Sequence, residues 1–354
     1  MKTSAKSIML AAALGLGLAG AAQANDPLKI GFVYSSLIGD AGWTYQHDLG
    51  RLMLEETFGD QIETAYVESI DGGADAERVV RQFASQGYGL IFGTSFNHMN
   101  PVARVAAQFP DIAFEHATGY TQDTNLAIYH TRAYESRYLV GMVAGMMGDS
   151  MGVVASYPIP EVLRGINAMT LGALSVNPEF STKVVWISSW FDPGLERTAA
   201  DALLDQGVDV LAHFTDSPAV VQAAEDREKY VVALGDMAQY GENSHLTALV
   251  YNWAPYYVDR VQKVLDGTWE TANTWEGISA DMMTIAPYND AVPQEVRDVV
   301  DAKMEEMRAG TFHPFQGPLL AQDGTVKVAE GELPDDGMLL SMDFYVGGVE
   351  GSLP

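Results

Sequence analysis

No cysteine occurs in the 354 residues. That absence excludes disulfides, thiolate nucleophiles, cysteine-ligated zinc and attachment of a lipid through an N-terminal cysteine. Positive charge is scarce too: 20 Lys+Arg stand against 47 Asp+Glu, a formal charge of -27. A surface this acidic repels phosphate backbones and anionic headgroups, so nucleic acids and membrane surfaces are excluded as partners. The partner expected is small and neutral or cationic, or another protein. No low-complexity linker and no short repeat interrupts the chain. What is present is 47% hydrophobic residues, enough in a chain of this length for two cores rather than one.

Residues 1–24 run from a basic start (Lys2, Lys6) through an apolar stretch to Ala22-Gln23-Ala24, a small-x-small end suited to signal peptidase. A membrane anchor needs about 20 apolar residues and a continuation, and Asn25-Asp26-Pro27 breaks the run. The expectation is a cleaved secretory leader and a periplasmic protein without a lipid anchor. Losing the two lysines makes the exported chain more acidic still.

Strand-length apolar runs recur at 30–35, 62–67, 90–94, 112–116 and 126–130, and again at 152–156, 183–188, 208–214, 230–234 and 246–251. Helix-period stretches separate them, among them 74–86, 101–108, 160–175, 193–205, 218–226 and 254–265. Continuous apolar strands are buried on both faces, which predicts parallel sheets covered by helices in right-handed βαβ units. Ten strands in two runs predict two doubly wound lobes. The tail beyond Trp269 reads differently: a helix at 293–308, a hairpin around Gln322-Asp323-Gly324, then a Gly-rich end.

Catalytic patterns fail one by one. Gly148-Asp149-Ser150-Met151-Gly152 matches the G-x-S-x-G spacing, but that motif needs a strand before the serine and a helix after it. Here the order is reversed, so Gly148 reads as a helix C-cap and Ser150 as a turn residue. The seven histidines show no metal-ligand spacing. No glycine-rich phosphate cradle opens a helix, and no cofactor is expected. Glu115 and His116 are adjacent on a strand and therefore point to opposite faces.

Ligands of open α/β sheets sit beyond the carboxyl ends of the strands, and the loops there are loaded. After the first strand come Asp40, Trp43 and Thr44; after the third come Gly93, Thr94, Ser95, Phe96 and Asn97. In the second run, Ser189-Trp190-Phe191-Asp192, Thr215-Asp216-Ser217 and Gly235-Asp236-Met237 take the same place. A capping role is an alternative for Asp40 and for Asp216, which would cap the helix opening at Ser217. Trp43 has the alternative of a hydrophobic staple.

The strings Lys29-Ile-Gly-Phe-Val-Tyr34, Gly39-Asp40-Ala-Gly-Trp43-Thr44 and Tyr134-Glu135-Ser136-Arg-Tyr-Leu-Val-Gly141 resemble the basic membrane protein family of transporter-associated substrate-binding proteins. Asn167, Leu171-Gly172-Ala173, Ser189-Trp190-Phe191-Asp192, His213-Phe-Thr-Asp216-Ser217 and Gly235-Asp236-Met237 are similar to its purine-handling branch. The likeness runs over roughly 28–310. It implies a type I periplasmic-binding fold, with lobe 1 at 28–133 plus 250–275 and lobe 2 at 134–249 plus 276–354. Three crossing segments, near 131–133, 249–252 and 276–281, would form the hinge.

The resemblance further implies a monomer that binds a purine, adenine- or hypoxanthine-like, and passes it to the membrane permease of an ABC transporter without any reaction. Trp43 and Trp190 would clamp the base, with Asp40, Thr44, Gly93, Asn97, Asp216, Asp236 and Asn252 around it. Asn252 replaces a lysine common in nucleoside-binding members, which shifts the expectation toward a free base. A base of about ten heavy atoms bound at micromolar affinity needs about -0.8 kcal/mol per atom, hence near-complete burial. The alternatives are the same fold binding a nucleoside, a sugar or a flavin, and an exported enzyme or sensor component.

Overall fold

The computed structural model describes residues 26–354; the leader expected at 1–24 lies outside the described residues. Five parallel strands open the chain: β1 (Leu28–Val33), β2 (Ile62–Val67), β3 (Leu90–Gly93), β4 (Ala113–Ala117) and β5 (Leu126–Thr131). Five more follow: β6 (Ser150–Ala155), β7 (Ser181–Trp186), β8 (Val210–His213), β9 (Tyr230–Leu234) and β10 (His245–Tyr251). β3, β4 and β5 are buried at every position, as parallel strands between two helical layers must be.

Each sheet gains an edge strand from the tail. β11 (Asn273–Glu276) pairs parallel with β5, and β12 (Met283–Ile285) pairs antiparallel with β10. The sheet orders are β11-β5-β4-β3-β1-β2 and β12-β10-β9-β8-β6-β7. The ten-strand count was therefore short by two. Both missed strands are of three or four residues at a sheet edge, too short to show a period. The chain passes between the sheets after Thr131, after Tyr251 and after Glu276.

Helices α1 (Gly42–Phe58), α2 (Gly73–Ser85), α3 (Met99–Ala106) and α8 (Ala254–Leu265) accompany the first sheet. The second is accompanied by α4 (Ala133–Met147), α5 (Pro160–Leu174), α6 (Pro193–Asp205), α7 (Ala219–Asp226) and α9 (Gln294–Arg308). In α2 the buried side chains Ala76, Val79, Val80, Phe83 and Ala84 form one helical face. α6 opens on Pro193, and Asp192 caps it by accepting from the Gly194 and Leu195 amides at 3.1 and 3.0 Å. Gly141 and Gly172 let α4 and α5 pack backbone to backbone, since a Cβ on either would meet the other helix's carbonyl. The hairpin is present as β13 (Leu319–Leu320) and β14 (Val326–Val328), and α10 (Asp336–Leu340) closes against α5.

Ser150 is not in a turn but is the first residue of β6, where its hydroxyl donates to Asp209 at 3.1 Å. Gly148 does end α4. Glu115 and His116 face different partners: Glu115 accepts from Tyr256, Arg260 and Trp269, whereas the His116 ring bonds the Ser95 carbonyl at 2.8 Å.

Candidate functional site

A cleft of about 710 Å³ opens between the carboxyl ends of the two sheets. Trp43 at the start of α1 and Ser95 and Phe96 after β3 line it from the first sheet's side; Trp190, Phe214 and Asp216 line it from the second's loops. Its floor is formed by the start of α4 (Tyr134, Arg137), the start of α5 (Glu161, Val162, Arg164, Gly165) and Tyr251 at the end of β10, where the chain leaves the second sheet. The six rings among these residues make it predominantly apolar, with a small number of polar groups, as expected of a site for a flat organic ligand.

Trp43 is fixed before any ligand arrives. Its indole N–H donates to the Thr94 carbonyl at 2.8 Å, and its ring meets Tyr251 and Trp253 edge to face at 4.9 and 5.5 Å. Trp253 is 1% exposed and stacks on His47 and Tyr251, so the indole of Trp43 leans on a rigid aromatic base. Trp190 sits on the opposite lobe against Tyr157, ring centroids 5.2 Å apart. Its indole nitrogen is buried without a hydrogen-bond partner among the described residues. The ring contacts of the two indoles are with other residues and not with each other.

Asp216 belongs to the second sheet but caps a helix of the first. Its carboxylate accepts from the Trp43 backbone N–H and the Thr44 amide (3.3 Å) in the first turn of α1, and from the Ser36 hydroxyl in the loop before it. Ala41, at the N-cap position, supplies no side-chain bond, so the orphan donors of that helix end depend on the other lobe. The Asp216 amide in turn donates to the Trp190 carbonyl at 2.9 Å. Burial raises the Asp216 carboxyl to about 7, against the lowering effect of those donors. α7, which follows Asp216, starts at Ala219 without a side-chain cap, so the local capping alternative does not hold.

Of the nine residues singled out from the sequence, the cleft brings together Trp43, Trp190 and Asp216. Thr44 is buried just behind them, its hydroxyl 2.6 Å from Ser36. Gly93 ends β3 against Val102 and His98, away from the cleft lining. Asn97 points to a neighbouring surface groove and donates to Asp71 at 3.2 Å. Asp40 lies on the exposed rim, where it accepts from Tyr240 of the other lobe. It does not cap α1. Asp236 is largely exposed, and its carboxylate accepts from the Ala238 amide at 3.1 Å. Asn252 ties two crossing segments together, its side chain donating to the Asp281 carbonyl and its amide to that of Met282, both at 2.9 Å.

The residues missed lie on the helix starts that form the floor. Arg137 is 2% exposed; it donates to the His213 carbonyl at 3.1 Å and lies over the Phe214 ring at 3.7 Å. Burial lowers it to about 10. Arg164, 4% exposed, donates to the Leu339 carbonyl at 2.6 Å and lies over Trp275 at 5.0 Å. Burial raises the Glu161 carboxyl, opposed by the charges of Arg164 and Arg137. The loop after β6 occupies the same strand-end position as the loops that were singled out, and this could have led to Glu161. Arg137 stood inside the Tyr134–Gly141 string but was read only as part of the likeness. His213 is spent on structure: Nδ1 bonds the Thr215 carbonyl at 2.9 Å and Nε2 the Leu234 amide at 3.2 Å.

Among the described residues no cluster of candidate metal ligands occurs, and no helix is long and apolar enough to cross a membrane. Residues 28–309 match the family model described as ABC transporter substrate-binding protein, PnrA-like. A purine-binding protein of Brucella abortus (strain 2308) is 45% identical over 98% of this chain and all of its own length. A putative ABC transporter glucose-binding protein of Haloferax volcanii is 38% identical over 95% of this chain and 83% of its own. The solved solute-binding protein of an ABC transporter system from Conexibacter woesei superposes with a TM-score of 0.67 at 23% identity, covering 81% of this chain and 98% of that one. One from Aeropyrum pernix gives 0.69 at 17% identity, covering 80% and 92%, and both show the fold, a two-lobed periplasmic-binding architecture. With the family model matched over 28–309, this protein belongs to the PnrA-like substrate-binding proteins of ABC transporters, which bind a solute and do not transform it.

Proposed function

We propose that this chain captures a purine base in the periplasm, closes its two lobes over it and presents the closed form, as a monomer without a lipid anchor, to the permease of an ABC transporter. The observation that carries the reading is the pair Trp43 and Trp190, one from each lobe on one cleft, with the 45% identity to a purine-binding relative beside it. A base offers two π faces to such a pair, and stacking on an aromatic side chain is worth about 1–3 kcal/mol per base. Lobe 1 (28–133 plus 250–275) and lobe 2 (134–249 plus 276–354) move as units about the three crossings, where Asn252 pins two of them. In this reading Asn252 serves the hinge, and no lysine stands there to hold a ribose.

Calorimetry tests the proposal. Adenine, hypoxanthine, guanine, their nucleosides and glucose are titrated into the purified chain. A base is expected to bind at micromolar affinity or better, at least as tightly as its nucleoside. Glucose is included because of the glucose-binding relative; if it binds and the bases do not, the purine reading fails. Nucleosides binding tenfold or more tightly than every base would overturn the free-base part alone.

A further inference from the structure

The polar end of the cleft is made by three charged side chains that the stacking pair does not explain. Glu161 and Arg164 are three residues apart at the start of α5, hence neighbours on one helix face. Arg137 comes from the adjacent helix α4. The two guanidiniums are anchored to different walls, one to the His213 carbonyl and the Phe214 ring, the other to the Leu339 carbonyl. Both are more than nine-tenths buried, and both anchors are carbonyls rather than carboxylates. Each guanidinium carries five N–H donors in a fixed fork; Arg137 also reaches the Met169 sulfur at 3.9 Å, and donors of both forks remain for the cleft. The Glu161 carboxylate, half-buried, lies within the field of both arginines and accepts no hydrogen bond among the described residues.

Asp216, the other cleft carboxylate, is already filled by the donors of Ser36, Trp43 and Thr44. The carboxylate left for a ligand is therefore Glu161, with Arg137 and Arg164 lining the same cleft. Building on the purine reading above, we propose that Glu161 accepts a hydrogen bond from an N–H of the base while Arg137 and Arg164 donate to the acceptors flanking it. The ligand chemistry is an edge ordered acceptor, donor, acceptor. Adenine presents it through N1, the 6-amino group and N7, and xanthine through O2, N1–H and O6. Unsubstituted purine has the same faces to stack but no donor on its six-membered ring, so it leaves the carboxylate unpaired. A site built to hydrogen-bond a group discriminates strongly against the analogue that lacks it.

The test compares adenine, xanthine, N6,N6-dimethyladenine and unsubstituted purine by calorimetry on the wild-type chain and on Glu161→Gln. In the wild type, adenine or xanthine is expected to bind at least tenfold tighter than unsubstituted purine, and the tighter of the two identifies which edge is read. If adenine is that ligand, the dimethyl analogue falls to the level of unsubstituted purine or below. Glu161→Gln is expected to weaken the preferred base tenfold or more and to leave unsubstituted purine within threefold, a split that a merely structural role would not produce. Equal wild-type affinities for adenine, xanthine and unsubstituted purine overturn the inference while leaving the stacking site standing, and they do so even if the variant fails to fold. An equal loss for every ligand in Glu161→Gln overturns it as well. Binding of none of the four removes the purine reading itself, and the inference with it.

Discussion

The backbone N–H of Trp43 donates to the carboxylate of Asp216, so the first turn of α1 in one lobe is capped by a residue of the other. A capping bond of this kind is worth about 1 kcal/mol to a helix. Its two partners belong to different lobes, so in the closure proposed above that free energy favours the closed form. The same residue holds the Trp190 carbonyl through its amide, linking both sides of the cleft at one point.

Trp43→Ala and Trp190→Ala are each expected to weaken ligand binding by about 5- to 150-fold, the equivalent of about 1–3 kcal/mol of stacking. Fluorescence titration of the wild type and calorimetry of the variants measure it. A change below threefold in both would remove the clamp.

Gly42 has φ +87, and a Cβ there would land on the Asp216 carboxylate. Gly42→Ala combines backbone strain with a clash at the latch. The variant should remain folded, bind at least tenfold more weakly, and show by small-angle scattering a smaller change in radius on adding ligand than the wild type. Unchanged affinity would show that the latch does not limit closure.

The pH dependence follows from the raised Asp216 carboxyl. Where the lobes part and water reaches it, the group returns toward its ordinary 3.8, so the closed form binds the proton more tightly. Its contribution to closure is therefore complete below about 3.8 and is lost as pH rises through about 7. Affinity is expected to fall on the order of tenfold between about pH 5.5 and 8. In Asp216→Asn an amide can accept from Trp43 and donate to Ser36 without titrating, so the slope should flatten while binding persists. A wild-type affinity that rises over this window would contradict the assignment.

Glu115→Ala tests stability apart from binding. Glu115 is 0% exposed and accepts from Tyr256 at 2.6 Å, Arg260 at 2.5 Å and Trp269 at 2.7 Å. Removing it strands a buried guanidinium, a loss of about 3–5 kcal/mol and a fall in Tm of roughly 10 °C. Ligand affinity measured well below the new Tm should change less than threefold, because the ion pair lies outside the cleft.

Strand runs such as 90–94 and 126–130 were legible because burial on both faces makes a parallel strand uniformly apolar, a property of the segment itself. Trp43, Trp190 and Asp216 were legible because the position of a loop at a strand's carboxyl end follows from the order of elements. The edge strands β11 and β12 were not, since four and three residues carry no period and owe their conformation to the neighbour they pair with. Asp40, Asn97 and Asp236 also occupy strand-end loops, and nothing in their local sequence tells a residue facing the cleft from one on its rim.

The sequence by itself therefore determined the two parallel sheets, the strand-end loops that carry the site and the lack of a cysteine to react or anchor. Its local patterns are set by burial and backbone propensity within each segment. Only the tertiary structure decided that Asp216 caps α1 rather than its own helix, that Asn252 joins two crossings, and that Arg137 and Arg164 reach the cleft beside Glu161. Those roles depend on which donors and acceptors meet across long stretches of chain, as Asn252 meets Asp281 across 29 residues and Trp43 meets Asp216 across 173. No local pattern encodes that distance, because the partner of a buried polar group is fixed by packing and not by spacing.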